Sequence, residues 1–136
     1  MKKYLSYILL AVITIASSCA KDTVLAETNL AQKMIEDKAW FLDYSQTSAV
    51  TKTYVGQPTY YINFLKNGST QDSDGLNGTY SVEKVNSQLQ IHVQAKTSNG
   101  NPIEYIYDII SVGVENLILS YTLSGKTTQL YYTSKR

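Results

Sequence analysis

Cysteine, histidine and tryptophan are nearly missing from this 136-residue chain, which has one of each and two prolines. A single cysteine, Cys19, leaves no partner for an internal disulfide and no cysteine metal site. A single histidine, His92, lies between Gln90 and Gln94 on the polar face of a strand-like segment. It has neither the nucleophile nor the orienting acid of a hydrolytic triad beside it. It also falls short of the three or four ligands that zinc requires. Neither sign of charge is in excess: 12 Lys and Arg face 11 Asp and Glu. Three of the basic residues, Lys2, Lys3 and Lys21, stand at the N-terminus, so the basic footprint of a nucleic-acid binder is lacking. No glycine-rich phosphate loop occurs. The apolar run from Leu5 to Ala16 is shorter than the roughly 20 residues a lasting bilayer helix needs.

That run has the order of a secretory signal instead. Lys2 and Lys3 supply the positive segment, LSYILLAVITIA the apolar one, and Ala16-Ser17-Ser18 the small residues before Cys19. A lone cysteine in this place resembles the lipobox of bacterial lipoproteins, with Ala16 where the pattern has an aliphatic residue. The resemblance implies a lipidated Cys19 as the first mature residue. Several acyl chains, each contributing about 0.8 kcal/mol per buried methylene, hold a protein on a membrane far better than one. Residues 1–18 are then a signal peptide, 19–28 a lipidated tether, and 29–136 one domain. The implied location is the Gram-negative cell envelope, with the protein anchored to the outer membrane. Asp22-Thr23-Val24 also resembles a bacterial O-glycosylation acceptor, which would place a glycan on Thr23.

Tyrosine is abundant: 12 residues, against two Phe and one Trp. The spacing predicts a short helix from Asn29 to Lys38, with Asn29 as N-cap and Gln32 completing a capping box. After Lys38 the period is two. Leu89, Ile91, Val93 and Ala95 alternate with Gln90, His92 and Gln94, and the same rhythm recurs around Trp40, Ile62, Tyr80, Tyr105, Leu119 and Tyr132. Trp40, Leu42 and Tyr44 are expected on one face. Asn67-Gly68, Asn86-Ser87, Asn99-Gly100 and Ser124-Gly125 supply turns. Seven or eight antiparallel strands with one apolar face expose two edges unless the sheet closes. The expected fold is therefore all-β: a small up-and-down barrel with an N-terminal helix.

Together, the lipobox, the helix, Ala39-Trp40-Phe41-Leu42, Phe64-Leu65-Lys66-Asn67-Gly68-Ser69 and the closing Leu130-Tyr131-Tyr132 resemble the lipocalin-like lipoproteins of Gram-negative bacteria. Lys38-Ala39 stands where true lipocalins carry a glycine before the tryptophan, so the resemblance bears on fold rather than ligand.

Without catalytic groups or cofactor motifs, a non-enzymatic binder is expected, with no metal and as a monomer. Trp40, Tyr60, Phe64, Tyr80, Tyr105, Tyr107, Tyr121 and Tyr132 form the expected inward set. An eight-stranded barrel is just wide enough for side chains or one small ligand, so these rings are expected to leave little cavity. That favours a protein partner met through two loops. One runs from Ser45 to Thr53, with Ser48, Ala49 and Val50 at its centre, suited to strand addition in a protease cleft. The other runs from Lys66 to Gly78, with Asp72 and Asp74 facing a cationic or metal-bearing partner. The architecture is similar to that of serralysin-inhibitor and potempin-type inhibitors, which implies an inhibitor of a secreted metalloprotease. The alternatives are a carrier of a small apolar ligand and a surface lipoprotein with an unassigned partner.

Overall fold

The computed structural model describes residues 23–48, 50–54, 60–97 and 99–135. Cys19 and the signal segment lie outside them, as does Ala49. A helix, α1, covers residues 23–35. It therefore includes residues 23–28, expected as tether, and puts Asn29 inside the helix rather than at its N-cap. Nine strands follow: β1 (Lys38–Thr47), β2 (Val50–Thr53), β3 (Tyr61–Phe64), β4 (Ser69–Asp72), β5 (Asn77–Val85), β6 (Gln88–Lys96), β7 (Pro102–Val112), β8 (Asn116–Leu123) and β9 (Lys126–Thr133). Each pairs antiparallel with its neighbour, and β1 closes on β9. β2 and β3 lie along the same edge of β1, β2 against Tyr44–Thr47 and β3 against Lys38–Phe41. They share one position in the wall, so the nine strands make a closed eight-stranded up-and-down barrel. Closure leaves no long unpaired edge to aggregate.

The strands follow their β-branched and aromatic content, and the turns follow local backbone chemistry. Asn86 and Ser87, both at positive φ (49° and 68°), link Val85 to its partner Gln88 in a two-residue hairpin. Ser124 and Gly125 repeat the arrangement between Leu123 and Lys126. Gly78 has another role. A Cβ there would lie 2.2 Å from the Gln94 carbonyl oxygen and 2.7 Å from the Ala95 Cα, so the wall bends more tightly than a side chain permits.

The core is the barrel interior at the helix end. Trp40, Phe64, Ile91, Val93, Leu117 and Leu119 are almost fully buried, and Ala31 and Ile35 of α1 complete the plug. The Asp37 N–H donates to the Phe64 carbonyl (2.7 Å), and Lys38 Nζ donates to the carbonyls of Met34 and Val114, both at 2.9 Å. Lys84 on β5 pairs with Glu27 on α1.

Two bulges change which side chains face inward. The β1–β9 register shifts between Leu42 and Tyr44, so Trp40 and Leu42 point inward but Tyr44 does not. Tyr44 instead stacks on Tyr131 outside the wall, with ring centroids 4.1 Å apart. The β7–β8 register shifts between Ile109 and Ser111, which leaves Ser111 exposed and turns Val112 inward against the core.

Candidate functional site

At the end of the barrel opposite α1, no described residue plugs the interior, and four of the inward tyrosines gather there. Ile62 on β3 and Val93 on β6 form a buried apolar floor. Above them Tyr60, Tyr105, Tyr107 and Tyr121 line a cup of about 350 Å³, with Asp72, Asp74, Leu76 and Leu123 toward the mouth. The expectation that the rings would fill the barrel is corrected here. Trp40, Phe64, Tyr80 and Tyr132 do pack the interior at the helix end, but these four tyrosines stand around a space. The Tyr107 ring meets the Tyr121 ring edge-on at 6.1 Å and lies 6.0 Å from the Tyr105 ring at a low interplanar angle.

Asp72 is the inward-pointing acid of the site. It ends β4, a strand inside the stretch Lys66–Gly78 expected as a loop, and its partner Ile62 fixes the same inward direction. Oδ1 accepts the backbone N–H groups of Asp74 (2.9 Å) and Leu76 (2.8 Å), which shapes the β4–β5 turn. Oδ2 accepts the Tyr60 hydroxyl at 3.1 Å. Burial first, and then the charge of Asp72, push the Tyr60 hydroxyl well above its usual pKa. Burial and neighbouring tyrosines do the same to Tyr107 and Tyr132, with a further contribution from Asp72. The cup is thus a ring-lined space with one oriented carboxylate, and the Tyr60 and Tyr107 hydroxyls stay protonated. Asp74 is exposed on the turn and reaches only the rim.

Ser48 and Val50 do not line the cup, and Ala49 lies outside the described residues. Ser48 (φ 54°) is at the tip of a tight hairpin, because Thr47 pairs directly with Val50. The expected loop Ser45–Thr53 is therefore mostly paired strand, with all four residues of β2 exposed. Thr23 is exposed near the start of the described helix. His92 lies on the outer wall, its Nε2 3.1 Å from Gln90 Oε1, and Gln90 in turn donates to Asp108 at 2.8 Å. Among the described residues no group of three or more His, Cys, Asp or Glu side chains comes together to hold a metal ion.

A wider and shallower hollow of about 570 Å³ runs along the halves of β5, β6 and β7 away from α1, past Gly78, Ala95 and Ile103. No aromatic ring lines it, so the deeper cup is the better receptacle.

The sequence pattern named Tyr60, Tyr105, Tyr107 and Tyr121 as core rather than as site. The sequence signal is only a bias: four of the six inward tyrosines stand near the mouth, while Tyr80 and Tyr132 pack at the helix end beside Trp40 and Phe64. Amphipathic rings suit a space that is partly wet.

Comparison with family models, with curated proteins and with solved structures returns no match. The fold itself defines the class: a small closed antiparallel barrel with a helix at one end, compatible with a lipocalin-like architecture.

Proposed function

We propose that this is an exported, non-catalytic binding protein that holds a small, largely apolar, ring-bearing ligand in the tyrosine cup. The observation that carries the reading is the cup: four tyrosine rings around about 350 Å³ at the one end of the barrel that α1 does not plug. The volume lies near the lower bound for small-molecule sites, which are concave, mostly apolar and marked by a few placed polar groups. The hydroxyls of the rings and the Asp72 carboxylate are such groups here. The signal segment and Cys19 support export and lipidation. An anchor on Cys19 would join the chain four residues before the described helix, at the plugged end, and leave the mouth facing away from the membrane.

Leu123→Trp provides the test. Leu123 borders the mouth and is 70% exposed, so a larger ring there narrows the entrance without disturbing the core. A thermal-shift screen of small amphipathic compounds should find stabilisers of the wild type, since a ligand bound only by the folded state stabilises by RT ln(1 + [L]/Kd). The same compounds should lose their effect on Leu123→Trp. Equal stabilisation of both proteins would remove the cup as the binding site.

A second reading rests on β2. Its four residues are exposed, and among the described residues its only strand partner is β1. An edge of this kind accepts an extended segment of another protein by strand addition, which is the contact an inhibitor of a secreted protease would use. Titrating co-secreted proteases with the protein tests it. Near-stoichiometric inhibition that is lost when Thr51 and Thr53, whose N–H groups face away from β1, are both replaced by Pro would favour this reading. No inhibition at micromolar protein would end it.

A further inference from the structure

We infer that the ligand of the cup is an organic cation, an ammonium group on a compact aromatic or aliphatic body. The inference rests on the cup being a ligand site and concerns what it selects.

The lining decides the sign of charge. Among the described residues its ionisable acids are Asp72 and Asp74, and no Lys, Arg or His lines it. Lys52 sits over the Tyr54 ring, 5.3 Å from its centroid, and is not part of the lining. A carboxylate or phosphate ligand would bring a negative charge toward Asp72 with no cation to offset it. In a partly enclosed site that repulsion is only weakly screened. A neutral ligand would gain burial alone. A cation would gain the burial of its body, the negative faces of Tyr105, Tyr107 and Tyr121, and the field of Asp72.

Asp72 is well placed to supply that field. Two backbone N–H groups and the Tyr60 hydroxyl hold its carboxylate in one orientation, so the charge does not swing away into solvent. Preorganised charge costs no ordering when the ligand arrives. After burial, the same charge helps to raise the Tyr60 and Tyr107 hydroxyls of the cup.

The experiment uses three probes of matched size on the full-length protein in nanodiscs of zwitterionic lipid, with empty nanodiscs as control. Benzyltrimethylammonium is the cation, neopentylbenzene its uncharged carbon isostere, and 3-phenylpropionate the anion. Ring resonances of Tyr60, Tyr105, Tyr107 and Tyr121 are followed by NMR. The cation should bind at least about tenfold more tightly than the isostere, as expected when ring faces and a carboxylate act together, and the anion should not bind. Asp72→Asn with Asp74→Asn should bring the cation down to the level of the isostere and leave the isostere unchanged. The amide at position 72 still offers an oxygen to the two backbone N–H groups, so the turn is kept. If the isostere or the anion binds as tightly as the cation, the ligand class is wrong and the cup stands. If cation binding survives the double replacement, charge selection by these acids is overturned. If no probe moves the ring resonances, the cup reading falls with it.

Discussion

The indole Nε1 of Trp40 donates a 2.8 Å hydrogen bond to the carbonyl oxygen of Ile35, with both residues fully buried. Ile35 lies in the last turn of α1, where carbonyls have no partner within the helix. The bond fastens the plug to the first strand while the indole fills the barrel beneath it. Trp40→Phe removes the donor, leaves a buried carbonyl unpaired and opens a gap. Destabilisation of about 2–4 kcal/mol is expected, read by urea unfolding. A loss under about 0.5 kcal/mol would mean that the helix is not held this way.

Tyr80 shows the opposite situation. Its ring packs edge-on against Phe64 at 5.0 Å, but its buried hydroxyl has no hydrogen-bond partner among the described residues. Gln32 lies close enough to favour the ionised form slightly without closing a bond. Tyr80→Phe should therefore be neutral or stabilise the fold by up to about 1 kcal/mol, because it removes a desolvated polar group and keeps the ring. A loss above 1 kcal/mol would indicate that the hydroxyl is satisfied in solution.

Alkali should unfold the protein. Burial, helped by Glu36 and Asp37, pushes the Tyr80 hydroxyl up to about 12, and burial raises Tyr60, Tyr107 and Tyr132 as well. The unfolded chain releases these protons near pH 10 while the folded chain retains them. Their contribution to stability is thus complete below pH 10 and is lost as pH climbs, through about 12 for Tyr80. Each such group adds a downward slope of up to about 1.4 kcal/mol per pH unit. A flat denaturation midpoint from pH 9 to pH 11.5 would contradict this.

Gly78→Ala is expected to be among the most damaging small changes. The added methyl would collide with backbone atoms of Gln94 and Ala95, which cannot rotate away. The cost should reach about 1–3 kcal/mol, typical of overpacking, and the β5–β6 amide resonances should shift. A change under about 0.5 kcal/mol would show that the strands spread apart without penalty.

Much of this fold is legible in the sequence because period two survives wherever pairing is regular. β6 is the clearest case: Leu89, Ile91, Val93 and Ala95 face inward as the alternation requires. The bulge in β1 is invisible to a count of two, so Tyr44 lands outside although it continues the rhythm of Trp40 and Leu42. β4 escapes notice because Ser69-Thr70-Gln71-Asp72 carries no apolar residue. Its pairing with β3 and β5 creates it, and Thr70 is buried only because its hydroxyl donates to the Asn63 carbonyl at 2.9 Å. The helix reaches back to residues 23–28 because Ala31 and Ile35 dock on the barrel and hold the segment that precedes them. The inward tyrosines were readable, but the cup was not. Whether rings fill or line a barrel depends on strand tilt and on the plug at the other end, and neither is local in sequence.

Cys19→Ala should move the protein from the membrane fraction to the soluble one, since the apolar run before it is too short to serve as a spanning anchor. Labelled fatty acid fed to the cells should appear on the wild type and not on the variant. Retention of the variant in the membrane, together with an unlabelled wild type, would overturn the lipidation reading.

The central claim is that the tyrosine cup holds a small molecule. Native mass spectrometry of the protein, extracted gently from its own envelope, tests it most directly. The account predicts a one-to-one adduct of a small organic cation on the wild type, released on activation and missing from Leu123→Trp. Bare protein in both samples, or the same adduct on both, would contradict it.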